Sequence, residues 1–216
     1  MYGVIEVYGI IIKCAPIGEY DKRITLLTNT RGKISAFARG ARRQGSPLMG
    51  ATNVFASGTF KLFEGRDSYT LQTASVDSYF SGLLEDMETT CYGTYFLELA
   101  DYYAREYVNE PEMLVLLYLT LKALSKPGIP RKLVRRIYEL RLMVINGEYD
   151  PRPSLEAGEA CEYAWDFIIN TPLKKLYSFV VTDEVYEQLA RNIDAMMNRF
   201  LDKKMNSLVV LEAMTE

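Results

Sequence analysis

Along residues 4–76, hydrophobic and polar positions alternate in short runs broken by clusters of Gly, Pro, Asn and Asp, which is the period of strands. The spacing predicts five strands, over Val4–Lys13, Arg23–Thr28, Lys33–Arg39, Val54–Phe63 and Tyr69–Val76. The breaks fall at Ala15–Gly18, Asn29–Gly32, the long stretch 40–53, and Glu64–Asp67. A five-stranded sheet of this length would expose an edge, so it should close into a small barrel or be capped by a helix. After Ser81 the period lengthens to that of a helix. Tyr92, Tyr95, Phe96, Leu99, Tyr102 and Tyr103 make one stripe, and Leu133, Ile137, Leu140 and Val144 another. Between them, Met113 to Leu124 is apolar nearly all round, as a helix buried in a bundle is. Pro111 suits a first helical turn, and 126–130 (Lys-Pro-Gly-Ile-Pro) separates two helices. Thr182 can cap a last helix, with Asp183 and Glu184 on its dipole and Val185, Leu189, Ile193, Met196, Met197 and Phe200 on its buried face. Residues 146–158 read as a loop. The fold class expected is α+β, with strands over 1–80 and an all-α helical domain over 81–216.

The composition suffices for one sizeable core or two modest ones, since 49% of the 216 residues are hydrophobic. A net charge of −3 argues at first against a nucleic-acid partner. That average conceals a division. Residues 1–80 carry ten basic and six acidic side chains, and 81–216 carry fifteen and twenty-two. Eight of the basic residues, and no acidic one, lie from Lys22 to Lys61. Cys14, Cys91 and Cys161 are widely spaced and odd in number, so neither a disulfide framework nor a zinc ribbon can be drawn. The first twelve residues lack a basic leader and a cleavage site, and no run is long enough to span a bilayer. A cytoplasmic protein with reduced thiols is expected.

There is no histidine, which removes Ser-His-Asp and Cys-His mechanisms and the commonest metal ligand together. Gly32-Lys33-Ile34-Ser35 lacks the first Gly and the Lys-Ser/Thr step of a phosphate-binding loop, so no nucleotide site is read there. The carboxylate pairs Glu19 with Asp21 and Glu98 with Asp101 admit two readings, a divalent-cation site and ordinary solvated or salt-bridged acids. No cofactor and no catalytic residue are assigned.

The positive signal lies on the third strand. Alternation puts Lys33, Ser35, Phe37 and Arg39 on one face and Ile34, Ala36 and Ala38 on the other. Two cations flanking an aromatic ring suit single-stranded nucleic acid, with bases on the ring and phosphates on the cations. Phe37 reads equally as a core residue turned into the barrel. The loop that follows, 39–46 (Arg-Gly-Ala-Arg-Arg-Gln-Gly-Ser), offers the forked donors of Arg39, Arg42 and Arg43 to phosphate. A second basic cluster, Arg131, Lys132, Arg135 and Arg136, has helical spacing with Leu133 and Ile137 turned inward. It reads either as a solvated face or as a receiver of an acidic peptide or phosphate.

The order Tyr8-Gly9-Ile10-Ile11-Ile12-Lys13, Gly18-Glu19-Tyr20-Asp21-Lys22-Arg23, Leu26-Leu27-Thr28, Gly32-Lys33-Ile34-Ser35 and Ala38-Arg39-Gly40-Ala41-Arg42-Arg43 resembles the start of the RecO family of bacterial recombination mediators. The likeness is dense through residue 43. It continues more loosely through Gly65 and the 92–99 helix to the last helix, with Ser207-Leu208 near its end. The resemblance implies an OB-type barrel followed by a helical domain. It implies binding and annealing of single- and double-stranded DNA, and loading of recombinase onto strands coated by single-strand-binding protein, without nucleotide hydrolysis. RecR and the acidic tail of single-strand-binding protein are the implied partners. The family's basic surface carries over onto Lys33, Arg39, Arg42 and Arg43, and onto Arg23 and Arg31, with the 131–136 cluster as receiver of the acidic tail. Many members carry a four-cysteine zinc module where this chain, over 147–164, has only Cys161, so the zinc site is expected to be lost. Two rival readings remain. One is a protein-interaction scaffold without intrinsic DNA binding, and the other is a metal-dependent nuclease built on a carboxylate pair.

Overall fold

The structure is a computed structural model that describes residues 3–66 and 68–215. Asp67, the end of the predicted turn after the fourth strand, lies outside the described residues. The chain forms two compact units, one of Met1–Ser81 with Leu97–Leu114 and one of Gly82–Phe96 with Val115–Glu216.

The first unit holds five strands, β1 Gly3–Ile17, β2 Asp21–Thr28, β3 Gly32–Ala38, β4 Ser57–Glu64 and β5 Tyr69–Ser78. They close into a barrel in the order β1-β2-β3-β5-β4, antiparallel throughout except for a short parallel contact of β3 with β5. Closure depends on the length of β1. Its first half pairs with β4 from Gly3 to Ile10, and its second half with β2 from Gly9 to Ile17. A bulge between Ile11 and Lys13 inserts one residue at that changeover, so Ile10, Ile11 and Ile12 are all buried despite the strand period. Val7, Ile24, Leu26, Ile34, Ala36, Phe60, Leu62 and Leu71 fill the interior with Ile11.

Two strand boundaries depart from the sequence reading by more than two residues. The first strand runs through the expected break at Pro16. There β1 has β2 on one side only, and a missing N–H is tolerated on the open edge. The fourth strand starts at Ser57, because Phe55 has φ 72° and a residue so turned cannot continue a ladder. The stretch expected as a loop before it contains one short helix, α1 Leu48–Ala51.

Helix α2 (Met87–Tyr103) ends in the segment 104–110, which lies along the turn between β2 and β3. The Lys33 amide donates to the Arg105 carbonyl at 2.9 Å and the Tyr107 amide to the Arg31 carbonyl at 3.1 Å. Gly32, with φ 60°, makes this approach possible. A Cβ there would collide with the Arg105 carbonyl oxygen and reach that of Val108 at 2.6 Å. Gly32→Ala is therefore expected to destabilise the protein by about 2 kcal/mol through backbone strain. An unchanged urea unfolding midpoint would count against the contact.

The second unit is helical, holding the first part of α2, α3 (Pro111–Leu124) from residue 115 on, α4 Arg131–Asn146, α5 Glu159–Asn170, α6 Asp183–Phe200 and α7 Asn206–Thr215. Thr182 caps α6 as its sequence implies, its hydroxyl accepting from the Val185 amide. Helix α4 is buried on more than the stripe its pattern shows, for Val134, Arg136, Tyr138 and Glu139 are buried beside Leu133, Ile137 and Leu140. The Tyr138 hydroxyl donates to the Phe96 carbonyl at 3.1 Å, and the two rings lie 4.7 Å apart. The segment 147–158 is irregular, and α5 follows it with Cys161 buried. Among the described residues, no helix is long and apolar enough to cross a membrane, and no group of three His, Cys, Asp or Glu side chains is placed to hold a metal ion.

Candidate nucleic-acid interface

On β3 the strand period buries Ile34, Ala36 and Ala38 and leaves Lys33, Ser35 and Phe37 half-buried on the outer face, with Arg39 exposed just beyond. Phe37 thus faces outward rather than into the core. Its register partner on β2 is Arg23, whose guanidinium sits 5.9 Å from the ring centroid. The Arg23 Nε also donates to the Ser35 hydroxyl at 2.8 Å, so a cation and a ring are held together across two strands.

This face lines a cleft of about 540 Å³ that gathers Arg23, Arg31, Lys33 and Phe37 with Arg66, Tyr69 and Tyr107. Its cations are not all free. Lys33 Nζ donates to the Asp101 carbonyl at 2.8 Å and pairs with its carboxylate at 3.3 Å, and Lys13 holds the other carboxylate oxygen at 2.6 Å. Burial alone would raise the Asp101 carboxyl, but the two lysines hold it below its ordinary value. Asp101, considered with Glu98 for a divalent cation, takes two ammonium groups instead. Arg31 pairs with Glu64 at 3.0 Å, and Glu64 also accepts from the Tyr69 hydroxyl at 2.8 Å. Burial and the neighbouring carboxylate push Tyr69 up to about 12, so the phenol stays a proton donor at neutral pH. Arg66 is exposed and has no polar partner among the described residues.

The basic loop forms a second group. Arg39 and Arg43 border a shallow depression with Gln44, Gly45 and Gln72. Arg39 is exposed with no polar partner among the described residues, Arg43 lies 5.2 Å over the Tyr20 ring, and Arg42 donates to the Gly18 carbonyl at 3.1 Å. The Asp21 carboxylate, the other acid considered for a cation, accepts from the Gly40 amide at 2.7 Å and so shapes this loop.

The cluster on α4 is differently placed. Arg131 pairs with Asp86 and Glu88, each at 2.6 Å, and Lys132 with Asp183 at 2.9 Å. Arg135 and Arg136 converge on the fully buried Glu139, at 2.7 and 2.9 Å, and Arg136 also holds Asp194 at 2.6 Å. Spacing alone suggests one open basic face, but the Arg136 side chain is 8% exposed. The carboxylates that enclose it come from its own helix and from α6, and a single-helix pattern does not display them.

Sequence reasoning missed Arg66, Tyr69, Tyr107 and Glu64 as parts of the cleft. Arg66 had a local signal, a cation in a tight turn. Tyr107 had none, being about seventy positions from β3 in the chain.

A closed five-stranded barrel with an outward cationic and aromatic strand, in one chain with a helical unit, defines the class of OB-type barrel proteins with a helical C-terminal part. The family comparisons narrow this further. The model of the recombination protein O N terminal matches residues 1–80, and that of the recombination protein O C terminal matches 84–162. The chain belongs to the RecO family, whose role is DNA repair and recombination. It is 26% identical to the DNA repair protein RecO of Acetivibrio thermocellus over 93% of each chain. It is 31% identical to that of Alkaliphilus metalliredigens over 76% of this chain and 67% of the relative. With that of Clostridium perfringens it shares 27% identity over 99% of each.

Proposed function

We propose that the protein is a recombination mediator that binds and anneals DNA strands on the outer face of the barrel and catalyses no reaction of its own. It helps load recombinase onto single strands coated by single-strand-binding protein, with RecR as partner, in the cytoplasm at the nucleoid. The observation that carries this reading is the outward alternation of Lys33, Ser35 and Phe37, continued by the exposed Arg39, Arg42 and Arg43. Lys33, Arg23 and Arg31 border the path, and the exposed Arg66 extends it. Single strands suit such a face better than duplex, because Phe37 can take a base only where bases are unstacked. For the acidic tail of single-strand-binding protein we retain α4, through Arg131 and Lys132. Their ion pairs are partly exposed and can exchange a carboxylate for another at small net cost. Arg135 and Arg136 would support that site from below. The loop 147–158 and α5 stand in place of the zinc module.

The test is the affinity for fluorescently labelled single-stranded DNA at two salt concentrations. With roughly four phosphate contacts at about 0.7 released counterions each, raising salt from about 50 to about 200 mM should weaken binding about fiftyfold. Salt-insensitive or absent binding would favour a protein-interaction scaffold instead.

A further inference from the structure

Tyr107 stands in the left-handed region, with φ 63°, and yet the residue is 72% exposed. Backbone strain at a bulky residue persists only where its surroundings impose it. Here the bonds from Tyr107 to Arg31 and from Lys33 to Arg105 impose it. Phe55, which shares that geometry, is instead 1% exposed and plugs the core. No comparable burial accounts for Tyr107. The fold holds an aromatic ring out on the wall of the cationic cleft.

The same lining carries Glu64. Arg31 and Tyr69 both donate to its Oε1, which orients the carboxylate and leaves Oε2 without a partner among the described residues. Glu106 is the second carboxylate on the lining. Where Arg31 and Lys33 are already paired with carboxylates, these two acids among the described residues favour a group that donates hydrogen bonds over a phosphate. A cleft of about 540 Å³ has room for one nucleotide.

We propose that this cleft takes one unstacked guanine of a single strand, with its ring on Tyr107 and its Watson–Crick edge on the Glu64 carboxylate. Guanine alone among the four bases presents two adjacent donors, N1–H and the 2-amino group, which can converge on Oε2, the oxygen that Arg31 and Tyr69 leave open. Adenine and cytosine place a ring-nitrogen acceptor beside their single amino group, and thymine places a carbonyl on either side of N3–H, so each meets Glu64 with repulsion. Arg23 and Arg66, at the exposed side of the cleft, take the flanking phosphates. Glu64 is then a specificity-determining residue, and Arg31 and Tyr69 are positioning residues that hold it. The inference rests on the barrel face binding single strands.

Three strands test it with the full chain, by competition against a labelled thymidine oligomer. One is all thymidine, one has guanine at alternate positions, and one has hypoxanthine, which lacks the 2-amino group, at those positions. The guanine strand should bind about tenfold more tightly than thymidine, as one bidentate base contact gives, with hypoxanthine between them. Glu64→Gln should bring the three strands to a common affinity, and Tyr107→Ala should weaken the guanine strand about tenfold through lost stacking. Equal affinity of the unaltered protein for guanine and thymidine strands would overturn the inference and leave DNA binding intact. A preference that survives in Glu64→Gln would overturn it as well. Failure to bind any strand at low salt would overturn both the inference and the function it rests on.

Discussion

Exchanging Arg39, Arg42 and Arg43 together for Glu should abolish detectable binding of single-stranded DNA at low salt while leaving the unfolding midpoint in urea nearly unchanged. The three side chains are exposed, and among the described residues they are held by only one hydrogen bond and one cation–ring contact. Exposed substitutions of this kind shift stability by about 0.5 kcal/mol or less each, and the contact of Arg43 with Tyr20 adds about as much. The effect on binding is much larger, since the net charge of residues 1–80 passes from +4 to −2. Three phosphate contacts become three repulsions. The milder exchange to Ala removes the contacts alone, and should lower the log–log salt slope by roughly 2. Unchanged affinity in the Glu variant would remove the loop from the interface.

The largest loss of stability is expected at Glu139. It is fully buried, and it accepts from Arg135, Arg136 and the Tyr95 hydroxyl, the last at 2.7 Å. Glu139→Leu leaves one guanidinium almost wholly buried with only Asp194 opposite it, which should cost about 3–5 kcal/mol. Differential scanning calorimetry and urea titration of the full chain would measure it, and a loss below about 1 kcal/mol would contradict the picture of a buried ion cluster. The effect should depend on pH. Burial alone would raise the Glu139 carboxyl, but Arg136 and Arg135 and the hydrogen bonds from Arg135 and Tyr95 outweigh it, so its folded value lies below the ordinary one. A carboxyl so lowered contributes stability that is present above the unfolded value, about 4.3, and is lost as pH falls through the folded value. The difference between the unaltered protein and Glu139→Leu should therefore shrink on acidification. A difference that grows in acid would reverse the assigned direction.

Much of the barrel was legible because strand periodicity is local. The alternation from Lys33 to Ala38 predicts which side chains share a face, and the five strands follow from such runs and the turns between them. The cap at Thr182 and the inward stripe of α6 are equally local. What the residues by themselves determined is thus the fold class, the sharing of one strand face by Lys33, Ser35 and Phe37, and the basic loop that follows, for each depends on neighbours a few positions apart, whereas the closed barrel decided that this face turns outward. Only the tertiary structure decided which charges remain available. Lys33 meets Asp101 from 68 positions away, Arg31 meets Glu64 from 33, and Arg136 meets Asp194 from 58. The period of a strand or helix reports the face on which a cation lies, and nothing in it reports the carboxylate that another element brings to that face. The same holds for Tyr107, whose backbone is turned by the turn beside Gly32 and not by its own neighbours. Pairings over such separations are set by chain closure and packing, and so they appear only once the barrel has closed.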